Sequence, residues 1–258
     1  MRPVVIDPVP LGSSIVHVVR DDLLQGGTKE RGLGPHLCEE AARGVREFVY
    51  ASPFCGFAQV ALAAASQREG HACRLFCEAD PRDTRALTPH PLTARAMSFG
   101  ADVSLHRTLA DAEFEASGYE KRKKRSKKLP LGFNTPGFRL HLGRAIERAW
   151  QEIDVQCGAP KHLWLPFGSG TLLSVFLAVL PRDVTLHAVN VRVLKDDDTR
   201  VINAREDSRV VFHKAEEKFH EAARLSAPVP SNAFYDAKLW TFILREARAG
   251  DVWWNVGR

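Results

Sequence analysis

With 258 residues, 45% hydrophobic and 26% charged side chains, the chain has the composition of a globular protein able to bury one large core or two smaller ones. No run of 18 apolar residues occurs, which excludes a helical membrane span, and the stretch from Met1 to Pro8 lacks the apolar core of a secretory signal, so the cytoplasm is the expected location. Five cysteines, an odd number with no C-x-x-C pair, point to reduced thiols rather than a disulfide framework, and no metal site is expected from them.

Taken in order, the apolar β-branched run 15–19 predicts a buried strand. Leu37, Ala41, Ala42 and Val45 share a helical face, predicting a helix over 38–48, followed by a short strand over 47–51 and a turn at 52–56. The alanine-rich segment 57–69 predicts a helix that Gly70 ends, and 71–79 predicts the next strand. A helix over 91–99, closed by Gly100, precedes a strand over 101–106. Residues 111–137 break the rhythm and read as loop. Then come a helix over 141–153, a strand over 161–167, a helix over 171–180 and a strand over 185–193. A surface turn at 195–198, helices over 214–224 and 237–249, and a strand over 251–256 complete the chain. Helix, glycine and strand recurring in this way imply βαβ units and a mainly parallel sheet.

Three stretches carry chemistry. In Arg20-Asp21-Asp22-Leu23-Leu24-Gln25-Gly26-Gly27-Thr28-Lys29-Glu30-Arg31, charge arrives at the end of a strand, followed by two glycines and a lysine. A lysine held there is a candidate Schiff-base nucleophile if its pKa is lowered; the other reading is an ordinary surface lysine on a solvated turn. The second stretch, Gly168-Ser169-Gly170-Thr171, lies between a predicted strand and a predicted helix, where backbone N–H groups and the helix dipole favour phosphate. It is neither a Walker loop nor G-x-G-x-x-G. A nucleophilic lysine together with a phosphate cradle points to a phosphate-bearing aldehyde, pyridoxal phosphate. In the third stretch, Lys121, Arg122, Lys123, Lys124, Arg125, Lys127 and Lys128 place seven positive charges in eight residues. Such a block is expected to be a self-repelling loop, either solvated or turned towards an anionic partner such as nucleic acid.

The chain resembles the tryptophan-synthase β family of pyridoxal-phosphate enzymes, fold type II, and within it the branch with aminocyclopropane-carboxylate deaminase and D-cysteine desulfhydrase. Gly26-Gly27-Thr28-Lys29-Glu30-Arg31 matches the family's G-G-N-K-x-R, with Thr28 in place of asparagine. Ser52 to Ala61 echoes S-x-x-N-x-x-Q-x-x-A, with Gly56 in place of its asparagine; Pro130 to Gly137 echoes P-x-G-G-x-x-P-x-G. Gly168 to Thr171 echoes G-S-G-G-T, one glycine short. Where the family closes on T-G-G, this chain has Val256-Gly257-Arg258. The resemblance implies two open, mainly parallel α/β domains, with the cofactor in the cleft between them. The larger would comprise 1–47 and 138–258, and the smaller, inserted one 48–137, with the basic loop 121–128. It implies that Lys29 holds the cofactor, that Gly168, Ser169, Gly170 and Thr171 bind its phosphate, and that Ser52 and Gln59 flank the ring or substrate; with the family's closing threonine, which meets the pyridine nitrogen, replaced, Asn255 is the candidate to serve the ring instead. Dimerisation is usual in the family.

Phage-encoded proteins of this type are similar over R-D-D-L-x-x-G-G-T-K, G-S-G-T-L, Y-D-A-K-x-W and W-N-V-G. The last two stand here as Tyr235-Asp236-Ala237-Lys238-Leu239-Trp240 and Trp254-Asn255-Val256-Gly257. This resemblance implies a decarboxylase acting on an amino acid attached to a modified thymine in phage DNA, in the host cytoplasm, with the basic segment contacting phosphates. Lys29 or a neighbour would return a proton to the substrate carbon. Tyr235 is a candidate acid or lid residue, or else a packed aromatic. Two rivals stay open: a deaminase or β-lyase of a free small amino acid, and a catalytically inactive DNA-binding protein on the same fold.

Overall fold

The computed structural model describes residues 3–83 and 86–258. In chain order its elements are β1 (Ile6–Leu11), β2 (Ser14–Arg20), α1 (Glu30–Ala42), β3 (Glu47–Ser52), α2 (Ala58–Glu69) and β4 (Ala72–Glu78). There follow α3 (Pro91–Ser98), β5 (Asp102–His106), α4 (Leu109–Arg122), β6 (Ser126–Lys128), α5 (Pro136–Cys157) and β7 (His162–Phe167). The rest are α6 (Thr171–Val179), β8 (Thr185–Asn190), α7 (Thr199–Glu206), β9 (Val210–Lys214), α8 (Trp240–Glu246) and β10 (Val252–Asn255). The chain divides into two compact units, one made of the described residues up to Thr28 with Leu142–Arg258, the other of Lys29–His141.

The first unit holds a six-stranded sheet in the order β1-β2-β10-β7-β8-β9. Only β1 runs antiparallel, with Ile6 opposite Val19 and Leu11 opposite Ser14. Pro8 and Pro10 cannot donate to a ladder, which confines β1 to the edge it occupies and hides it from a sequence reading. β10 lies parallel between β2 and β7, with Asn255 opposite Arg20 and Val252 opposite Leu163. Strands buried on both faces read as continuous apolar runs, and Leu163, Trp164, Leu165 and Phe167 of β7 are all buried. One core cluster joins Val16, Val18, Trp164, Leu239, Ile243 and Trp253.

The second unit holds a four-stranded parallel sheet in the order β5-β4-β3-β6. The small side chains of α2, with Ala61, Ala63 and Ala65 fully buried, let it approach its neighbours closely, and α1 packs on it. Val49, Ala51 and Phe76 meet Ala112 and Ala116 of α4 in a core of their own.

Several expectations are corrected. The first helix is Glu30–Ala42, not 38–48, and belongs with the second unit, so the boundary falls after Thr28 rather than after residue 47. Residues 111–137 are not a loop: α4 begins at a cap in which Thr108 Oγ1 accepts from Asp111 N–H (3.1 Å), and β6 pairs with β3 through Glu47 and Ser126. No helix forms over 214–224. There Lys238 Nζ (2.8 Å) and Glu221 N–H (3.0 Å) take up the Lys218 carbonyl, while the Glu221 carboxylate accepts from Lys218 N–H (2.8 Å). The helix expected over 237–249 is a 3₁₀ turn, Asp236–Leu239, leading into the short α8. β1, α7 and β9 have no counterpart among the expected elements. Among the described residues no helix is long and apolar enough to cross a membrane.

Candidate active site

In the first unit, β7 ends at Phe167 and the chain turns through Gly168, Ser169 and Gly170 into α6. Gly170 has φ +81° and caps α6 without any side-chain hydrogen bond, so the first N–H groups of the helix keep their positive end for an outside acceptor. A side chain at Gly168 would bring a Cβ within 3.0 Å of the Tyr235 ring; the turn needs glycine because tyrosine is already there. Ser169 Oγ and Thr171 Oγ1 stand 3.2 Å apart, and Thr171 is buried. Arg200, paired with Asp198 (2.7 Å), reaches within 3.4 Å of the Ser169 carbonyl. Its hydrogen bonds hold the Asp198 carboxyl down at about 2, so that pair is charged at neutral pH.

Tyr235 comes to the turn because it opens the 3₁₀ turn at Asp236, with its ring edge-on to Phe219 at 5.3 Å. Asp236 behind it is fully buried. Its Oδ1 accepts the Val256 N–H at 2.6 Å. Burial pushes its carboxyl up to about 8, and the nearby charge of Asp22 adds to this; N–H donors from Val256 and Gly257 oppose it. Asn255, at the end of β10, donates through Nδ2 to the Pro230 carbonyl (2.8 Å), while its Oδ1 is buried without a hydrogen-bond partner among the described residues. Trp254 Nε1 donates to both Asp21 Oδ2 and Thr28 Oγ1 at 2.9 Å, and Thr28 N–H donates to the Val256 carbonyl at 3.0 Å. The residue before Lys29 is therefore fastened to the end of β10. Asp21 and Asp22 are structural: Asp22 is held by the Arg20 guanidinium (2.7 Å), and Asp21 by Trp254.

In the second unit, Lys29 ends a 3₁₀ turn (Gly27–Lys29) and leads into α1. Ser52 and Gln59 are brought together at one turn, both fully buried. Ser52 Oγ donates to the Pro53 carbonyl (3.0 Å), and the Gln59 amide donates to the Phe54 carbonyl (3.1 Å) and lies 3.2 Å from Cys77 Sγ. A Cβ on Gly56 would fall 2.8 Å from Ser52 Oγ, so the glycine that replaces asparagine here allows this close packing.

The basic segment is not the mobile loop expected. Lys121 and Arg122 form the last turn of α4, and Arg125 adopts φ +64° with its carbonyl accepting Arg46 N–H (2.8 Å). In β6, Lys127 pairs with the buried Glu40 (2.5 Å) and Lys128 with Glu113. Self-repulsion is relieved by these carboxylates and by the β6–β3 ladder. Lys121, Arg122, Lys123, Lys124 and Arg125 remain exposed.

Asp236, buried behind Tyr235, is a candidate that sequence reasoning missed. Its signal is a single acid among the aromatic and apolar side chains of 234–240, which also hold Lys238, and the neighbouring tyrosine is the more obvious candidate.

No family profile and no curated protein matches the sequence. Solved structures match its fold. An ACC deaminase homologue superposes with a TM-score of 0.78 at 16% identity, over 100% of this chain and 90% of that one. Diaminopropionate ammonia lyase from Escherichia coli, in its apo form, gives 0.67 at 11% identity, over 100% and 83%. The processed form of threonine deaminase isoform 2 from Solanum lycopersicum gives 0.55 at 19% identity, over 76% of this chain and 51% of its own. The chain thus has the mixed α/β, mainly parallel fold of these enzymes, fold type II, as its motifs implied.

Proposed function

We propose that this chain is a pyridoxal-phosphate-dependent lyase acting on an amino-acid substrate. The observation that carries the reading is the uncapped glycine turn at the start of α6, closed on one side by Tyr235. Its donor set fits a phosphate: consecutive N–H groups, the Ser169 and Thr171 hydroxyls, and no carboxylate among its own residues. Lys29, in the motif that matches the family's lysine, is assigned to hold the aldehyde. Asn255, with a buried oxygen in need of a donor, and Asp236, keeping its proton near neutrality, offer polar partners to a ring nitrogen. When bound, pyridoxal phosphate supplies an electron sink for a bond broken at the substrate's α-carbon. Lys29 Nζ and the Tyr235 hydroxyl are the groups assigned to move protons there.

The finer reading is decarboxylation of an amino acid attached to a modified thymine in DNA. It is supported by the four phage-type motifs and by the five exposed cations at 121–125. The fold likeness to an ACC deaminase homologue and to an ammonia lyase favours a second reading, a deaminase or β-lyase of a free small amino acid.

The test is the visible absorption of the protein with pyridoxal phosphate, in wild type and Lys29→Ala. A band present in wild type and lost in the variant is expected. Turnover of amino-acid-modified DNA, but not of free amino acids, selects the first reading. Absence of a band in both proteins overturns the enzyme assignment and leaves an inactive DNA-binding protein.

A further inference from the structure

The outer face of α4 has a property that the lyase reading does not use. Phe114, Gly118, Lys121 and Arg122 fall at i, i+4, i+7 and i+8, and so share one side of the helix. Of the fourteen phenylalanines, Phe114 alone is exposed, with 77% of its surface open to solvent. Gly118 leaves room beside it: a Cβ there would lie 3.0 Å from Arg122 Nη1, so the guanidinium folds back over the glycine along the helix towards Phe114. Lys121, Lys123, Lys124 and Arg125 surround the C-terminal end of this face, all exposed.

The acids of α4 are mostly engaged elsewhere. Asp111 is tied to Thr108 (2.7 Å), Glu113 to Lys128, and Glu120 accepts the Lys128 N–H (2.7 Å); only Glu115, 4.0 Å from Arg122, answers the cations. The face therefore combines an open aromatic ring, a flat guanidinium one turn away and a strong positive excess.

We infer that this face binds single-stranded nucleic acid, with Phe114 stacking on a base and the cations of 121–125 following the backbone. Aromatic rings stack on any base that is free, while the bases of a duplex are already stacked on one another. The inference rests on the reading of DNA as the partner and adds its form and its base contact.

The test is fluorescence anisotropy of a labelled single-stranded dT oligomer and of a duplex of equal length, with the full chain. Tighter binding to the single strand is expected. Phe114→Ala should weaken it by about tenfold or more, the usual effect of losing one stacked base, and Phe114→Tyr should restore it. Lys123→Glu with Lys124→Glu should flatten the salt dependence by about 0.7 in slope for each phosphate that the variant no longer neutralises. Equal binding of both forms, indifferent to Phe114, overturns the inference and leaves DNA as the partner. No binding to either overturns both, while the cofactor assignment still stands or falls on Lys29→Ala. Two further results also overturn it: Phe114-dependent binding to anionic phospholipid vesicles without oligomer binding, or a Phe114→Asp change in sedimentation with oligomer binding unchanged, which would make this face a contact between copies.

Discussion

The glycine turn at 168–171 and the basic segment at 121–128 both read in the sequence as places for an anion, yet the fold treats them differently. The first carries no charge of its own, but it stands at the carboxyl end of a central parallel strand and the start of a helix, and tyrosine closes it on one side. The second carries seven charges, of which two are consumed by Glu40 and Glu113 inside the second unit. An anion site built from backbone geometry is fixed by the fold. One built from charge depends on which carboxylates the fold brings to it.

The sharpest way to break the comparison is at the turn. Gly170→Val places a β-branched residue at φ +81°, a strain of about 1–3 kcal/mol. Its expected outcome is a ten- to hundredfold loss of pyridoxal-phosphate affinity by spectral titration, roughly that strain expressed as binding. Binding of nucleic acid should not change. Lys123→Glu with Lys124→Glu should do the reverse, leaving the spectrum intact and weakening oligomer binding by about tenfold at low salt.

A third prediction concerns the acid behind the turn. The folded chain keeps the Asp236 proton up to about pH 8, whereas an unfolded chain releases it near pH 4. Between these values the unfolded state binds fewer protons, so this group makes stability fall as pH rises from about 4 to 8. Asp236→Asn retains an oxygen for the Val256 N–H and should remove that slope from urea-unfolding midpoints. The smallest effect is expected at Lys127→Ala, about 1 kcal/mol of stability, because the buried Glu40 keeps its pair with Arg43 (3.0 Å), with no change in oligomer binding if the exposed cations alone face the partner.

The turn was legible because its neighbours were: β7 is a nearly continuous apolar run, α6 is apolar apart from Thr171 and Ser174, and two glycines lie between them. α4 was not, because only Ala112 and Ala116 are buried along it and the charged residues at its end masked the pattern. The Thr108-x-x-Asp111 cap was a signal in plain view. The helix expected over 214–224 had the right composition, but Lys238, some twenty residues on, captures a carbonyl that the helix would have needed. Asp236 could not be placed from sequence, because its donor at Val256 reaches it only through the folding of the final strand.

That strand has a consequence for how the protein is made. β10 follows every other strand of its sheet in the chain yet lies between β2 and β7. The sheet cannot close in the order of synthesis. β2 and β7 wait with open edges for a partner that emerges last among the strands, and the pairing of Asn255 with Arg20 spans nearly the whole sequence. Such long-range closure is slow, and it leaves two apolar strands exposed to mispairing in the interval. The same strand carries Trp254 to Asp21 and Thr28, so the segment leading to Lys29 is fastened only once β10 has paired.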